Sequence, residues 1–169
     1  LVKLLKDGGA DKFNLKLNDV NQTTSPGGST SFGHNDATAV LTKDTGNYTV
    51  TEAAVAPALD SNYTSTLSCL NNDQGAYDTD GTITIAKGDN WVCTFLNVRK
   101  KGSIELKKAW VGTPGVTTLN IGTTDGGSDV ASVQTGVDGG LPQTTGNKPV
   151  VTGTYYVSET GGLADFSSE

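Results

Sequence analysis

Thr45-Gly46-Asn47-Tyr48-Thr49-Val50-Thr51-Glu52 and Thr152-Gly153-Thr154-Tyr155-Tyr156-Val157-Ser158-Glu159 are the two stretches that decide how this chain is read. Both obey T-G-x-Y-x-V-[ST]-E. Residues two apart on an extended backbone face the same way, so Tyr48, Val50 and Glu52 share one face of a strand and the acid sits on its apolar side. Upstream of each stretch lies an apolar run carrying lysine, Leu1-Val2-Lys3-Leu4-Leu5 and Ile104-Glu105-Leu106-Lys107-Lys108-Ala109-Trp110. Lys3 precedes Glu52 by 49 positions and Lys108 precedes Glu159 by 51. Matched order and spacing read as two copies of one module: a complete one over 1–99 and a second over 100–169, joined near Arg99-Lys100-Lys101-Gly102.

The second copy is the shorter. After Tyr63 the first copy continues through Leu67-Ser68-Cys69 and Trp91-Val92-Cys93-Thr94-Phe95-Leu96-Asn97. After Phe166, at the place of Tyr63, the second stops at Glu169. It is expected to lack its C-terminal strands, either because the sequence was cut or because another chain supplies them. The abrupt apolar start, with no signal peptide, is likewise expected of a piece of something longer.

The rest of the sequence reads as β. Trp91, Cys93, Phe95 and Asn97 share one strand face, Phe13, Leu15 and Leu17 another, and Ile83 and Ile85 a third. Between them lie turn clusters such as Ser25-Pro26-Gly27-Gly28-Ser29 and Asp78-Thr79-Asp80-Gly81. Many short strands with such punctuation predict an antiparallel sandwich, all-β and Ig-like. Composition agrees: of 169 residues 22 are Gly and none is Met, which argues against a helical bundle. The net charge of −6 argues against a nucleic-acid binder, whose basic surface must neutralise phosphates. No apolar run approaches the roughly 20 residues of a membrane span.

The polar residues on apolar faces carry the chemistry. Lys3 alternates with Leu1 and Leu5, Glu52 with Tyr48 and Val50, and Asn97 with Cys93 and Phe95. A lysine, an acid and a carboxamide thus point inward from three strands, and burying any of them unpaired costs several kcal/mol. One compensation is an ion pair bridged by the amide. The other is covalent: burial lowers a lysine pKa and raises a glutamate pKa, so a neutral Lys3 amine attacks the Asn97 side-chain carbonyl while protonated Glu52 polarises it. The product is an isopeptide bond formed once, without turnover, so the chain is not an enzyme.

L-x-K in a first strand, Y-x-V-x-E in a middle strand and C-x-F-x-N in a last strand together resemble the collagen-adhesin B-type, or prealbumin-like (SpaA-like), repeat domains of bacterial surface adhesins and pilins. The second copy carries the fuller form I-x-L-x-K at Ile104, Leu106 and Lys108. The resemblance implies tandem prealbumin-like sandwiches, a Lys3–Asn97 link with Glu52 as catalyst, and Lys108 with Glu159 in the second module, where no Asn partner is present. Lys107, adjacent, is the alternative to Lys108.

Cys69 and Cys93 have neither metal-ligand spacing nor a nearby histidine, so a disulfide between neighbouring strands is expected, and with it an oxidising, extracellular setting. No metal or cofactor is expected. His34, in Ser31-Phe32-Gly33-His34-Asn35, reads as a solvated loop residue. Asp78-Thr79-Asp80-Gly81 reads as a plain turn, since no glutamate follows where a calcium loop needs one. The function expected is a structural stalk or filament module at the cell surface. Its partners are neighbouring repeats or identical subunits, with any host or surface ligand unspecified. The alternatives are a ligand-binding adhesin domain and a self-assembling filament subunit completed by a neighbour's strands.

Overall fold

The apolar run at the start of the chain extends as β1 (Val2–Lys6) and Lys12–Leu17, with its strict alternation, as β2. Six more strands follow: β3 (Val20–Asn21), β4 (Gly46–Val55), β5 (Tyr63–Asn71), β6 (Tyr77–Asp78), β7 (Thr82–Ile85) and β8 (Trp91–Arg99). The computed structural model describes residues 1–73, 75–111, 115–136 and 143–161; Phe166 lies outside them. Its contacts divide the chain into two units, Leu1–Lys100 and Lys101–Glu169.

In the first unit two four-stranded sheets form, ordered β1-β8-β5-β6 and β3-β2-β4-β7. Alternation decides what lies between them. Leu15, Leu17 and Val50 of the second sheet pack with Cys69, Cys93 and Phe95 of the first, joined by Ile83 and Phe32. Every pairing within these sheets is antiparallel except one: β1 runs parallel to β8. An antiparallel sandwich was the expectation, and periodicity gives faces but is silent on strand direction.

The segment between β3 and β4 was expected to be turns and loop, yet Phe32 is wholly buried and exchanges both backbone hydrogen bonds with Phe13. The same segment covers the outer edge of β1. Lys3 N–H donates to Asp36 O, Asn35 N–H to Lys3 O, and Thr38 N–H to Leu1 O. An edge of bare donors and acceptors is thereby occupied.

The second unit holds β9 (Lys101–Ile104), β10 (Lys107–Lys108), β11 (Thr117–Gly122), β12 (Ala131–Thr135), β13 (Gln143–Thr144), β14 (Lys148–Val151) and β15 (Tyr156–Thr160). They pair as β12-β11-β15, β14-β9 and β10-β13. Leu119 faces Glu159 and Ile121 faces Val157 in β11–β15. In β2–β4, Leu15 faces Glu52 and Leu17 faces Val50. No helix is long and apolar enough to cross a membrane among the described residues.

Candidate functional site

The parallel ladder sets Lys3 beside Phe95 and Leu5 beside Asn97. Asn97 therefore lies one two-residue step along β8 from the residue paired with Lys3, on the same strand face. The Lys3 side chain is fully buried and crosses to the opposite sheet, where Nζ donates to Glu52 Oε2 at 2.6 Å. Its ammonium lies 4.1 Å from the centre of the Phe13 ring and 5.9 Å from that of Phe95. Burial pushes the Lys3 amine below its ordinary value, against the Glu52 carboxylate, which pulls it back up.

Asn97 is also fully buried, and neither Oδ1 nor Nδ2 has a hydrogen-bond partner; Glu52 Oε1 has none either. An unmade hydrogen bond inside a protein costs about 1–3 kcal/mol per group. A carboxamide with both ends unsatisfied, in the interior that holds a desolvated amine and a carboxylate, is thus costly as an inert group.

The second pair forms as well. Lys108 Nζ lies 2.9 Å from Glu159 Oε1 and 3.0 Å from Oε2, with the Trp110 ring centre 4.5 Å away. The hydrogen bond from Lys108 holds the Glu159 carboxyl below its ordinary range. Lys107 points elsewhere, to Glu105 at 3.5 Å, and is exposed.

Cys69 and Cys93 stand directly opposite in the β5–β8 ladder and are joined as a disulfide. His34 is exposed, but its Nδ1 accepts the Leu5 N–H at 3.0 Å, so it caps β1 as well as facing water. Asp78 Oδ1 accepts the N–H groups of Asp80 and Gly81, which makes its loop a turn. Among the described residues no cluster of three or more His, Cys, Asp or Glu is arranged to hold a metal ion.

One cluster escaped the sequence reading. The Tyr63 hydroxyl donates to Asp11 Oδ2, and Arg99 Nη1 lies 3.2 Å from the same oxygen. Arg99 was read only as part of a basic linker. Burial and the Asp11 carboxylate push the Tyr63 phenol up to about 12. Asp11 falls outside any periodic run, so nothing local marked it.

Residues 6–99, more than half of the chain, match the family model of the SpaA-type prealbumin-like fold domain. Glu52 and Asn97 lie inside that stretch, Lys3 just ahead of it, and Lys108 and Glu159 beyond it. Searches of the curated proteins and of the solved structures return no match. The all-β first unit, with its two facing sheets, and the family match together make this chain a member of the prealbumin-like fold domain family.

Proposed function

We propose that the first unit is a tension-carrying structural module of an extracellular surface protein, in which Lys3 and Asn97 are joined by an amide bond that Glu52 catalyses. Domains of this family are modules of pili and surface adhesins. The single observation that carries the covalent reading is Asn97: a buried carboxamide with no partner, on the strand beside a desolvated lysine that touches an acid.

The chemistry follows from those groups. Glu52 takes a proton from the Lys3 ammonium through their hydrogen bond, leaving a lone pair on Nζ. That pair attacks Cγ of Asn97, the Cγ–Nδ2 bond breaks, the proton passes from Glu52 to the departing nitrogen, and Glu52 then takes the second proton that Nζ sheds as it becomes an amide. Ammonia leaves and an amide remains, with no oxidant or cofactor. The event happens once per chain, so no turnover follows.

We further read 1–99 and 100–169 as two copies of this module, whose partners are neighbouring repeats or identical subunits. The shared registers of β2–β4 and β11–β15 support this, as do the two Lys–Glu pairs. Intact mass of the reduced chain tests the bond: a deficit of about 17 Da, one ammonia, is expected. Full mass refutes it.

A further inference from the structure

At the end of the first unit where β2 and β7 finish and β8 begins, the two sheets enclose a cavity of about 430 Å³. Leu17 and Ile83, both buried members of the main core, line it together with the partly buried Ile85 and Trp91. The segment Ala39–Lys43, on its way to β4, lines it too. No hydrogen bond is made to Val40, Leu41, Thr42 or Lys43. Val40 is 96% exposed and Leu41 37%. A loosely held stretch thus carries two apolar side chains in water beside an apolar cavity.

The lining defines the chemistry of an occupant. Trp91 Nε1 donates to Asp89 Oδ2 at 3.4 Å, so the one polar atom of the indole is occupied and the ring offers carbon surface. Aromatic rings favour such a partner by stacking or edge contact. Lys43 and Asp89, the two charged side chains that line the cavity, have opposite signs and select for neither an anion nor a cation. Aliphatic walls give water few hydrogen-bond partners, so water there is displaced at little cost. The volume falls in the range of small-molecule sites.

We propose that this cavity is a binding site for an uncharged aromatic small molecule, held against Leu17, Ile83, Ile85 and Trp91 and covered by Val40 and Leu41. The covering step is favourable in itself, because Val40 leaves water when it turns onto the ligand. The site lies apart from Lys3, Glu52 and Asn97 and does not depend on whether they are bonded. It adds a binding role to a load-carrying module.

The test titrates the full 169-residue chain with N-phenyl-1-naphthylamine, an uncharged aromatic that brightens on leaving water. Saturable binding at a single site per chain is expected. Val40→Ser with Leu41→Ser, at exposed positions where the fold is not at risk, weakens it about threefold to tenfold. Ile85→Glu, which puts a charge into the wall, weakens it at least about tenfold. Leu59→Ser removes another exposed apolar side chain, outside the cavity, and leaves the affinity unchanged. The anionic analogue anilinonaphthalene sulfonate binds at least about tenfold more weakly than the neutral probe. Absence of saturable binding overturns the proposal. So does an affinity that survives the Val40 and Leu41 substitutions together with Ile85→Glu, since the probe then sits elsewhere. If Ile85→Glu does not fold, the exposed pair decides alone. An anion bound as tightly as the neutral probe overturns the assigned ligand class.

Discussion

Lys3 reaches from the first sheet of its unit to Glu52 on the second, and the two meet at 2.6 Å with almost no solvent access to either side chain. A pair so placed is strongly destabilising to break, because removing one partner strands a buried charge. The pair therefore ties the two sheets together whether or not the lysine goes on to react.

Asn97→Ala separates the covalent reading from the noncovalent one. If Lys3 is bonded to Asn97, the variant regains the missing ammonia mass and loses a closure spanning 94 positions. By the loop-entropy model that closure is worth roughly 4–5 kcal/mol. Calorimetry should then show Tm lower by at least about 15 °C. If no bond exists, the substitution merely deletes an unsatisfied carboxamide, and Tm stays level or rises.

The same variant should acquire an alkaline stability gain. Its Lys3 is a titrating amine held below its ordinary value near 10.5 by burial. The unfolded chain then binds more protons than the folded one between the two values, so stability rises with pH up to about 10. If the wild type carries the proposed amide, its nitrogen does not titrate and this contribution is absent. Urea midpoints at neutral pH and near pH 10 read the difference. A variant that loses stability across that interval contradicts the buried-amine account.

Tyr63 acts in the opposite sense. Its phenol is raised to about 12, so its contribution is whole below the ordinary value of 10 and disappears as pH climbs between the two. Two pKa units correspond to roughly 2–3 kcal/mol. Tyr63→Phe should flatten the loss of stability over that range. An unaltered alkaline limb in the variant would assign the loss to other groups.

Reduction of Cys69–Cys93 releases a closure with a sequence separation of 24. About 3 kcal/mol is expected from the same entropy model. Dithiothreitol, or Cys69→Ala with Cys93→Ala, should lower Tm by roughly 10–20 °C without changing the mass deficit assigned to Lys3 and Asn97. Concerted loss of both features would mean that the disulfide is needed to form the other bond.

Gly81→Ala should cost about 1–3 kcal/mol. Gly81 has φ +86°, and a Cβ there would stand 2.9 Å from Val50 O and 3.3 Å from Leu67 Cδ2. Its own carbonyl accepts the Val50 N–H, so the chain cannot simply swing away. A midpoint equal to that of the wild type would show that the turn relaxes freely.

Alternation made the inward faces legible. Lys3, Glu52 and Asn97 were placed inside because each keeps step with apolar neighbours, and the same rule gave Leu15, Val50 and Phe95. What it left out were relations between strands. Nothing local says that β1 runs parallel to β8, since direction follows from how the intervening chain crosses between sheets. Nor does period two find Phe32, a lone aromatic in a polar, turn-rich segment, or Asp36, whose backbone carbonyl binds Lys3. The Asp11–Tyr63–Arg99 cluster joins residues 52 and 36 positions apart, and no spacing rule connects them.

The parallel pairing of β1 with β8 has a mechanical consequence. Because the two strands point the same way, Leu1 and Arg99 lie at opposite ends of their ladder. A pull applied at those ends slides one strand along the other and strains all the rungs together in shear. Two antiparallel neighbours pulled from adjacent ends would instead unzip rung by rung, so this order of strands resists stretching even before any side chains are bonded.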